Sequence, residues 1–493
     1  MTLPRNASLA KPANQTTIPG PTYDRSALTT GIVHFGLGNF HRAHQAMFLD
    51  RLMSEGKALN WAICGVGVMP ADEKMRDVLK VQDDLYTLVL KHPDGTLEPR
   101  VIGSIREYLY APDDPEAVLT KLADPATRIV ELTVTEGGYN IDRVTGEFDL
   151  TNPGIMTDLL DGAVPATVFG LVVEGLRRRR DAGVVPFTVM SCDNIQGNGH
   201  VARQMFGAFA EAKDPVLAAW IRDHVHFPNS MVDRITPVTT DADRALVRST
   251  YGIEDAWPVM AEPFVQWVLE DSFTLGRPPY EEVGVQVVDD VMPYELMKLR
   301  LLNASHQALA YFGYLSGYRY AHEAATDPLI VSLLNRYMNE EATPTLSPVA
   351  GIDLDEYKAE LLVRFANPEI RDTLARLCQD SSDRIPKWLL PVARWNLENG
   401  GSITMAAAIV ASWARYAEGV DEEGEPITVV DNLAEELVPL ARTYPTNHVG
   451  FLENKQVFGD LAAQPWFTSS YRETLEALHE RGAQAALAEA LAR

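Results

Sequence analysis

Four polar side chains share one side of an otherwise apolar helical pattern, "YELMKLRLLNASHQALAYFGYL" (294–315). At about 100° per residue, with Lys298 as zero, Glu295 falls near ~60°, His306 near ~80° and Asn303 near ~140°. A lysine in such surroundings can act as a general base when desolvation brings its pKa towards neutrality. Asparagine amides beside it can donate hydrogen bonds to an alkoxide or carbonyl oxygen as charge develops there. A half-exposed helix face is the plainer reading, but Asn and His are poor choices for one. A further asparagine, Asn194, ends the strand-like run "FTVMSCDN" (187–194). Ligands of doubly wound sheets gather at strand carboxyl ends, although an Asn before "QGNG" also suits a plain turn.

A second chemistry is written near the start of the chain. The apolar run Ile32-Val33-His34-Phe35 leads into Gly36-Leu37-Gly38 and then a helical pattern. In a dinucleotide loop the first glycine permits the tight turn and the second lets the pyrophosphate approach the backbone at a helix N-terminus. The usual third glycine is replaced by His41, with Ala43 as a small residue for close packing and Arg42 as a possible phosphate partner. The next strand ends in "GVGVMPAD", where Asp72 is placed either to accept from ribose hydroxyls or to cap the following helix. His41 and His44 form at most a partial metal pair, and no metal site is expected.

These residues need elements to hold them. Strand-like runs at 32–36, 61–68, 86–92, 129–137 and 187–194 alternate with helical patterns at 40–56, 115–124 and 165–183, and two further runs follow at 264–271 and 283–290. That alternation predicts an α/β domain with a mostly parallel sheet covered on both faces. After Pro293 nearly every segment reads as helix. The expected division is therefore a Rossmann-type dinucleotide-binding domain over 1–290 and an all-α substrate and catalytic domain over 291–493.

The chain of 493 residues carries a formal net charge of −25, which argues against nucleic acid or an anionic membrane as the main partner. The one basic block, Arg177 to Arg180, reads as the end of a helix, where cations suit the dipole, rather than as a binding tail. Cys64, Cys192 and Cys378 are far apart and form no disulfide framework. The N-terminal "MTLPRNASLAKPANQ" has no apolar leader segment, and no apolar run is long enough to span a membrane, so a cytoplasmic protein is expected. The acidic surface is compatible with a monomer or weak oligomer.

Six blocks in this order extend the reading: "GLGNFHRAHQA", "TVTEGGY" (133–139), "SCDN" (191–194), "FPNSMVDRITP" (227–237), "EPFVQWVLED" (262–271) and Lys298-x4-Asn303-x2-His306. Together they resemble the polyol-specific long-chain dehydrogenase/reductases, the mannitol dehydrogenase family, over essentially the whole chain from about residue 30. The resemblance implies metal-independent, NAD-dependent oxidation of a polyol secondary alcohol, D-mannitol at C2 to D-fructose and the reverse, at a site between the two domains. It implies that Lys298 is the general base, that Asn194 and Asn303 hold the reacting oxygen, that His306 positions substrate, and that Glu295 relays the proton to solvent. Asp233, Arg376 and Arg384 match polyol-contacting positions. Phe35, Gly36, Leu37, Gly38, Asn39, Phe40, Arg42 and Asp72 fall in the cofactor-binding segments.

Two departures stand out. Ala71 replaces a second acid that the family can carry before Asp72, which removes some repulsion of NADP. Arg384 stands where the family pattern has lysine, and the two cations contact ligands differently. Within the family, a fructuronate/mannonate enzyme or an arabinitol or sorbitol dehydrogenase stays open, since Arg376, Arg384 and Lys387 could clamp a carboxylate. A catalytically silent NAD-binding sensor would be expected to lose Lys298 or one of the asparagines, and all three are present.

Overall fold

The computed structural model describes residues 18–142 and 145–493. The N-terminal stretch read above as lacking a leader segment lies outside the described residues. The chain divides into two compact units, one running to Val291 and the other from Met292 to Arg493.

Eleven strands occur among the described residues of the first unit: β1 (Thr30–Phe35), β2 (Ala62–Gly67), β3 (Tyr86–Lys91), β4 (Leu97–Ile102), β5 (Ile105–Tyr110), β6 (Ile129–Leu132), β7 (Thr188–Ser191), β8 (Ser230–Asp233), β9 (Val259–Ala261), β10 (Gln266–Glu270) and β11 (Gln286–Val288). Five of them form an all-parallel sheet in the order β5-β2-β1-β6-β7. The order reverses between β1 and β6, so the ligand crevice of such a sheet opens beyond the carboxyl ends of these two strands. Alternation along β1 sends Val33 and Phe35 into one buried cluster and Ile32 into another, so both faces are covered. Each such fully buried side chain contributes about 1.5–3 kcal/mol, which is why these strands read as continuous apolar runs.

Local signals fix the covering helices. Asp114 caps Pro115–Ala123, and Thr167 caps Val168–Asp181, whose last turn holds Arg178, Arg179 and Arg180. One of these arginines is not a solvated cation: Arg179 is buried and donates to the carbonyls of Leu122, Asp124, Thr127 and Val185.

The first unit departs from expectation in several ways. The run at 86–92 lies outside it, pairing antiparallel with β4 and parallel with β9. The third parallel strand is instead β5, whose half-exposed residues gave no apolar run to see. The runs at 129–137 and 187–194 are strand only over their first halves, and their remainders are the loops that bear polar residues. The pattern at 40–56 is broken at His44 into Asn39–Ala43 and Gln45–Ser54.

The second unit is helical, as the sequence predicts. The almost wholly buried helix Thr404–Ala417 packs along Pro465–Ala492. The Glu341 carboxylate caps it by accepting from the N–H groups of Met405 and Ala406 at 2.7 and 2.8 Å. Among the described residues no helix is long and apolar enough to cross a membrane.

Candidate functional site

The glycine loop leaves β1 at the point where the strand order reverses. Gly36 has φ +87°, and a β-carbon there would lie 2.2 Å from the Thr133 carbonyl oxygen, so the fold itself demands glycine. Gly38 differs. A β-carbon at that position would meet only the Gly36 oxygen, at 3.8 Å. Nothing among the described residues requires glycine at 38, whereas a pyrophosphate brought against the backbone would. The loop therefore fits a dinucleotide.

Phe35 and Leu37 are buried beneath the loop, and half-buried Phe40 stacks on His44 with centroids 5.0 Å apart. The Asn39 amide donates to Pro237 O at 3.1 Å and to Thr239 Oγ1 at 3.0 Å, tying the loop to the "DRITPVT" segment. Arg42 does not face outward as a phosphate partner would. Its guanidinium is fully buried, donating to Trp257 O at 2.6 Å and Asn39 Oδ1 at 2.8 Å while lying over the Tyr86 ring. It braces the loop from beneath, because a charged group buried this deeply must spend its donors on the protein.

Asp72 makes no side-chain cap bond to the helix Glu73–Val81 that follows it. Its Oδ2 turns back to accept from the N–H groups of Val68 and Met69 at 3.0 and 2.9 Å, holding the end of β2 and leaving Oδ1 for another donor.

His41 is partnered not by His44 but by two residues the sequence reading passed over. Its ring stacks on His34 with centroids 3.5 Å apart, and its Nε2 lies 3.4 Å from Glu131 Oε2. That same oxygen lies 2.9 Å from His34 Nδ1. The donor atoms of His34, His41 and Glu131 lie within 4.8 Å of one another, so a carboxylate does come to His41, from 90 residues further along the chain. The stacked rings run side by side rather than converging, which suits a carboxylate bonded to His34 and flanked by His41 better than an ion. Burial alone would raise the Glu131 pKa, but the His34 hydrogen bond and the close approach of His41 hold it down to about 2. Burial, with His34 beside it, pushes His41 down to about 3.

Asn194 lies three residues beyond the end of β7, exposed at the carboxyl edge of the sheet. Next to it, the buried Asp193 carboxylate accepts from the N–H groups of Thr135 (2.7 Å) and Val134 (3.1 Å) and from the Tyr139 hydroxyl (2.8 Å). Burial pushes the Asp193 pKa up, and these three hydrogen bonds pull against it. Thr135 has φ 66° and ψ 168°, a conformation almost confined to glycine and worth about 1–3 kcal/mol of strain in a β-branched residue. Asp233 is the buried last residue of β8, in the separate sheet β11-β10-β8, opposite Gln266.

In the helical unit the lysine segment is not one α-helix. It is α over Met292–Met297, π over Lys298–Asn303 and α again over Ala304–Leu315, and the Ala304 N–H donates to Leu299 O, five residues back. The ~140° separation of Lys298 and Asn303 expected from 100° per residue therefore does not hold. With i→i+5 bonding the two lie one turn apart on the same side, an interruption that recurs at functional sites. Glu295, Lys298 and Asn303 are buried, and half-buried His306 packs on Phe365 with centroids 4.6 Å apart. Arg376 is exposed and ion-paired to Asp372, its Nε donating at 2.6 Å. Arg384 reaches the Leu377 carbonyl at 3.3 Å and the Arg376 carbonyl at 3.5 Å, so the two arginines share one patch.

Sequence reasoning missed Thr133, Thr135, Tyr139 and Asp193 as parts of the sheet edge, and His34 with Glu131 beneath it. Adjacent polar residues after two neighbouring strands were the available signal.

Residues 30–282 match the model of the mannitol dehydrogenase Rossmann domain, and 290–479 match that of the mannitol dehydrogenase C-terminal domain. Mannitol dehydrogenase 2 of Saccharomyces cerevisiae is 46% identical over 480 residues, covering 97% of this chain and 95% of that protein. The structure of Pseudomonas fluorescens mannitol 2-dehydrogenase in ternary complex with NAD and D-mannitol superposes with a TM-score of 0.86, at 45% identity and 97% coverage of both chains. Substrate-free D-sorbitol dehydrogenase gives a TM-score of 0.89 at 39% identity, covering 97% of this chain and 98% of the other.

Proposed function

This chain belongs to the mannitol dehydrogenase family, and from that premise we propose that it oxidises D-mannitol at C2 to D-fructose and catalyses the reverse reduction. It is an NAD-dependent polyol dehydrogenase. The observation that carries the choice of chemistry is the π turn, which stacks Lys298 and Asn303 on one side of a buried helical segment.

Residues 1–290 bind the dinucleotide and residues 291–493 carry the base. Gly36 and Gly38 leave room for the pyrophosphate, Phe35, Leu37, Asn39 and Phe40 shape that loop, and Asp72 Oδ1 is left for the adenosine ribose. NAD held there would supply the acceptor for the hydride that leaves C2. Lys298 takes the proton of the C2 hydroxyl, so that C2 becomes a carbonyl. Asn194 and Asn303 donate to the oxygen as charge develops on it, the kind of contact worth a few kcal/mol in a transition state. Glu295 passes the proton from Lys298 to solvent, and His306, Asp233, Arg376 and Arg384 hold the other hydroxyls. Because the lysine removes the proton directly, the mechanism needs no metal. We place the protein in the cytoplasm, as a monomer or weak oligomer with no nucleic-acid partner.

The shared patch of Arg376 and Arg384 favours a second reading, a carboxylate clamp for fructuronate. Asp372 already neutralises Arg376, which tips the balance to an uncharged polyol. Initial rates of NADH oxidation with D-fructose and with D-fructuronate, side by side at neutral pH, separate the two. Fructose is expected to be preferred. A preference for fructuronate would reassign the arginines, and turnover of neither would point to another polyol, such as arabinitol or sorbitol, or to a silent NAD-binding sensor.

A further inference from the structure

The reaction proposed above gives Asp193 no chemical part, yet this residue is fixed at both ends. Its carboxylate holds the Val134 and Thr135 N–H groups and the Tyr139 hydroxyl. Tyr139 and Ser191 share a 2.5 Å contact, and Ser191 Oγ accepts from the Asp193 N–H at 3.3 Å. The Asp193 carbonyl accepts from the Ile195 N–H at 2.9 Å and from Asn198 Nδ2 at 3.0 Å. Asn194 is the next residue, spanned by the bond from the Ile195 N–H to the Asp193 carbonyl.

The other side of the clamp is strained. Thr135 follows β6, the neighbour of β7, and its φ of 66° with ψ of 168° is a conformation that a threonine leaves unless it is held. Both N–H groups that this turn directs at the sheet edge end on the one carboxylate. Releasing them would let the 133–136 main chain relax and would loosen the end of β7.

We propose that Asp193 is a positioning residue: it holds the strained Thr135 turn against the end of β7 and so fixes Asn194, the amide that steadies the reacting oxygen. Preorganisation of this kind costs nothing during the reaction and is lost when the supporting contacts are loosened. The inference rests on the function proposed above, because it assigns Asn194 its part in that reaction.

A mutant cycle on the full-length protein tests it, reading kcat for D-mannitol oxidation together with the NADH dissociation constant. Asp193→Asn is expected to lower kcat by more than about tenfold while moving NADH affinity less than about threefold. The Thr135→Gly background removes the strain that the carboxylate opposes, so the loss caused by Asp193→Asn should shrink at least about threefold there. A purely structural part elsewhere would leave that loss unchanged. A smaller initial fall in kcat, or an equal fall in both backgrounds, overturns the proposal. Should Asp193→Asn not fold, Tyr139→Phe, which removes one of the three donors, takes its place in the cycle. Parental turnover is measured first. If there is none, the function assigned above fails, and the clamp is judged separately by whether Asp193→Asn lowers Tm less in the Thr135→Gly background.

Discussion

Thr133 donates its hydroxyl to the Gly36 carbonyl at 2.8 Å, and its own carbonyl occupies the space a β-carbon on Gly36 would need. The ends of β1 and β6 are thus locked together at the reversal of strand order. Gly36→Ala is expected to destabilise the protein by at least about 2 kcal/mol, through both the clash and the positive φ. Gly38→Ala should unfold within about 0.5 kcal/mol of the parent, yet bind NADH at least about tenfold more weakly. Thermal unfolding and NADH fluorescence titration read the two effects. Full NADH affinity in Gly38→Ala would show that the loop is only a turn.

Lys298→Ala is expected to lower turnover by about 10²–10⁴-fold, the range for a lost general base, with NADH affinity nearly unchanged. In the parent, kcat for oxidation should rise with pH through one ionisation, since the base must be unprotonated to act. That rise should disappear in the variant. Near-normal turnover after the substitution would sink the assignment.

Asp72 holds Val68 and Met69 through one oxygen, and the proposed cofactor contact uses the other. Replacing it by Ala removes the charge that repels a 2′-phosphate, where Ala71 offers no second acid. The ratio of kcat/KM for NADP to that for NAD should rise by about tenfold or more. An unchanged ratio would mean that the cofactor is selected elsewhere.

The buried His34, His41 and Glu131 cluster should make stability depend on acid. His41 moves from 6.5 to about 3 on folding, so its contribution is complete above pH 6.5 and is lost as pH falls towards 3. Glu131, lowered from 4.5 to about 2, adds a loss in the same direction at lower pH. One proton taken up on unfolding steepens the fall by up to about 1.4 kcal/mol per pH unit. Denaturant unfolding between pH 7 and 4 should show this slope in the parent and a flatter one in His41→Asn. Equal slopes would place the acid sensitivity elsewhere.

Periodicity and punctuation carried much of this protein. Apolar runs of strand length separated by helical patterns are enough to announce a covered parallel sheet, because both faces of such a strand must be dry. Two glycines after Phe35 marked the turn at the reversal of strand order, and the loss of strand patterns after Pro293 marked the helical unit. The spacing of Glu295, Lys298, Asn303 and His306 singled out the lysine segment, since polar types on an apolar helix are legible one residue at a time. Only the tertiary structure decided how such groups are disposed. The π turn depends on hydrogen bonds to the fifth residue back, which composition does not encode, and it changes which side Asn303 faces. Arg42 looked like a phosphate ligand in its local context, yet Trp257 and Asn39 take its donors. His41 waited on Glu131, and Asp193 on Thr135, partners brought together by strand pairing across tens of residues. A side chain's type is fixed in the sequence, but its charge state, strain and direction depend on neighbours that only the folded sheet supplies.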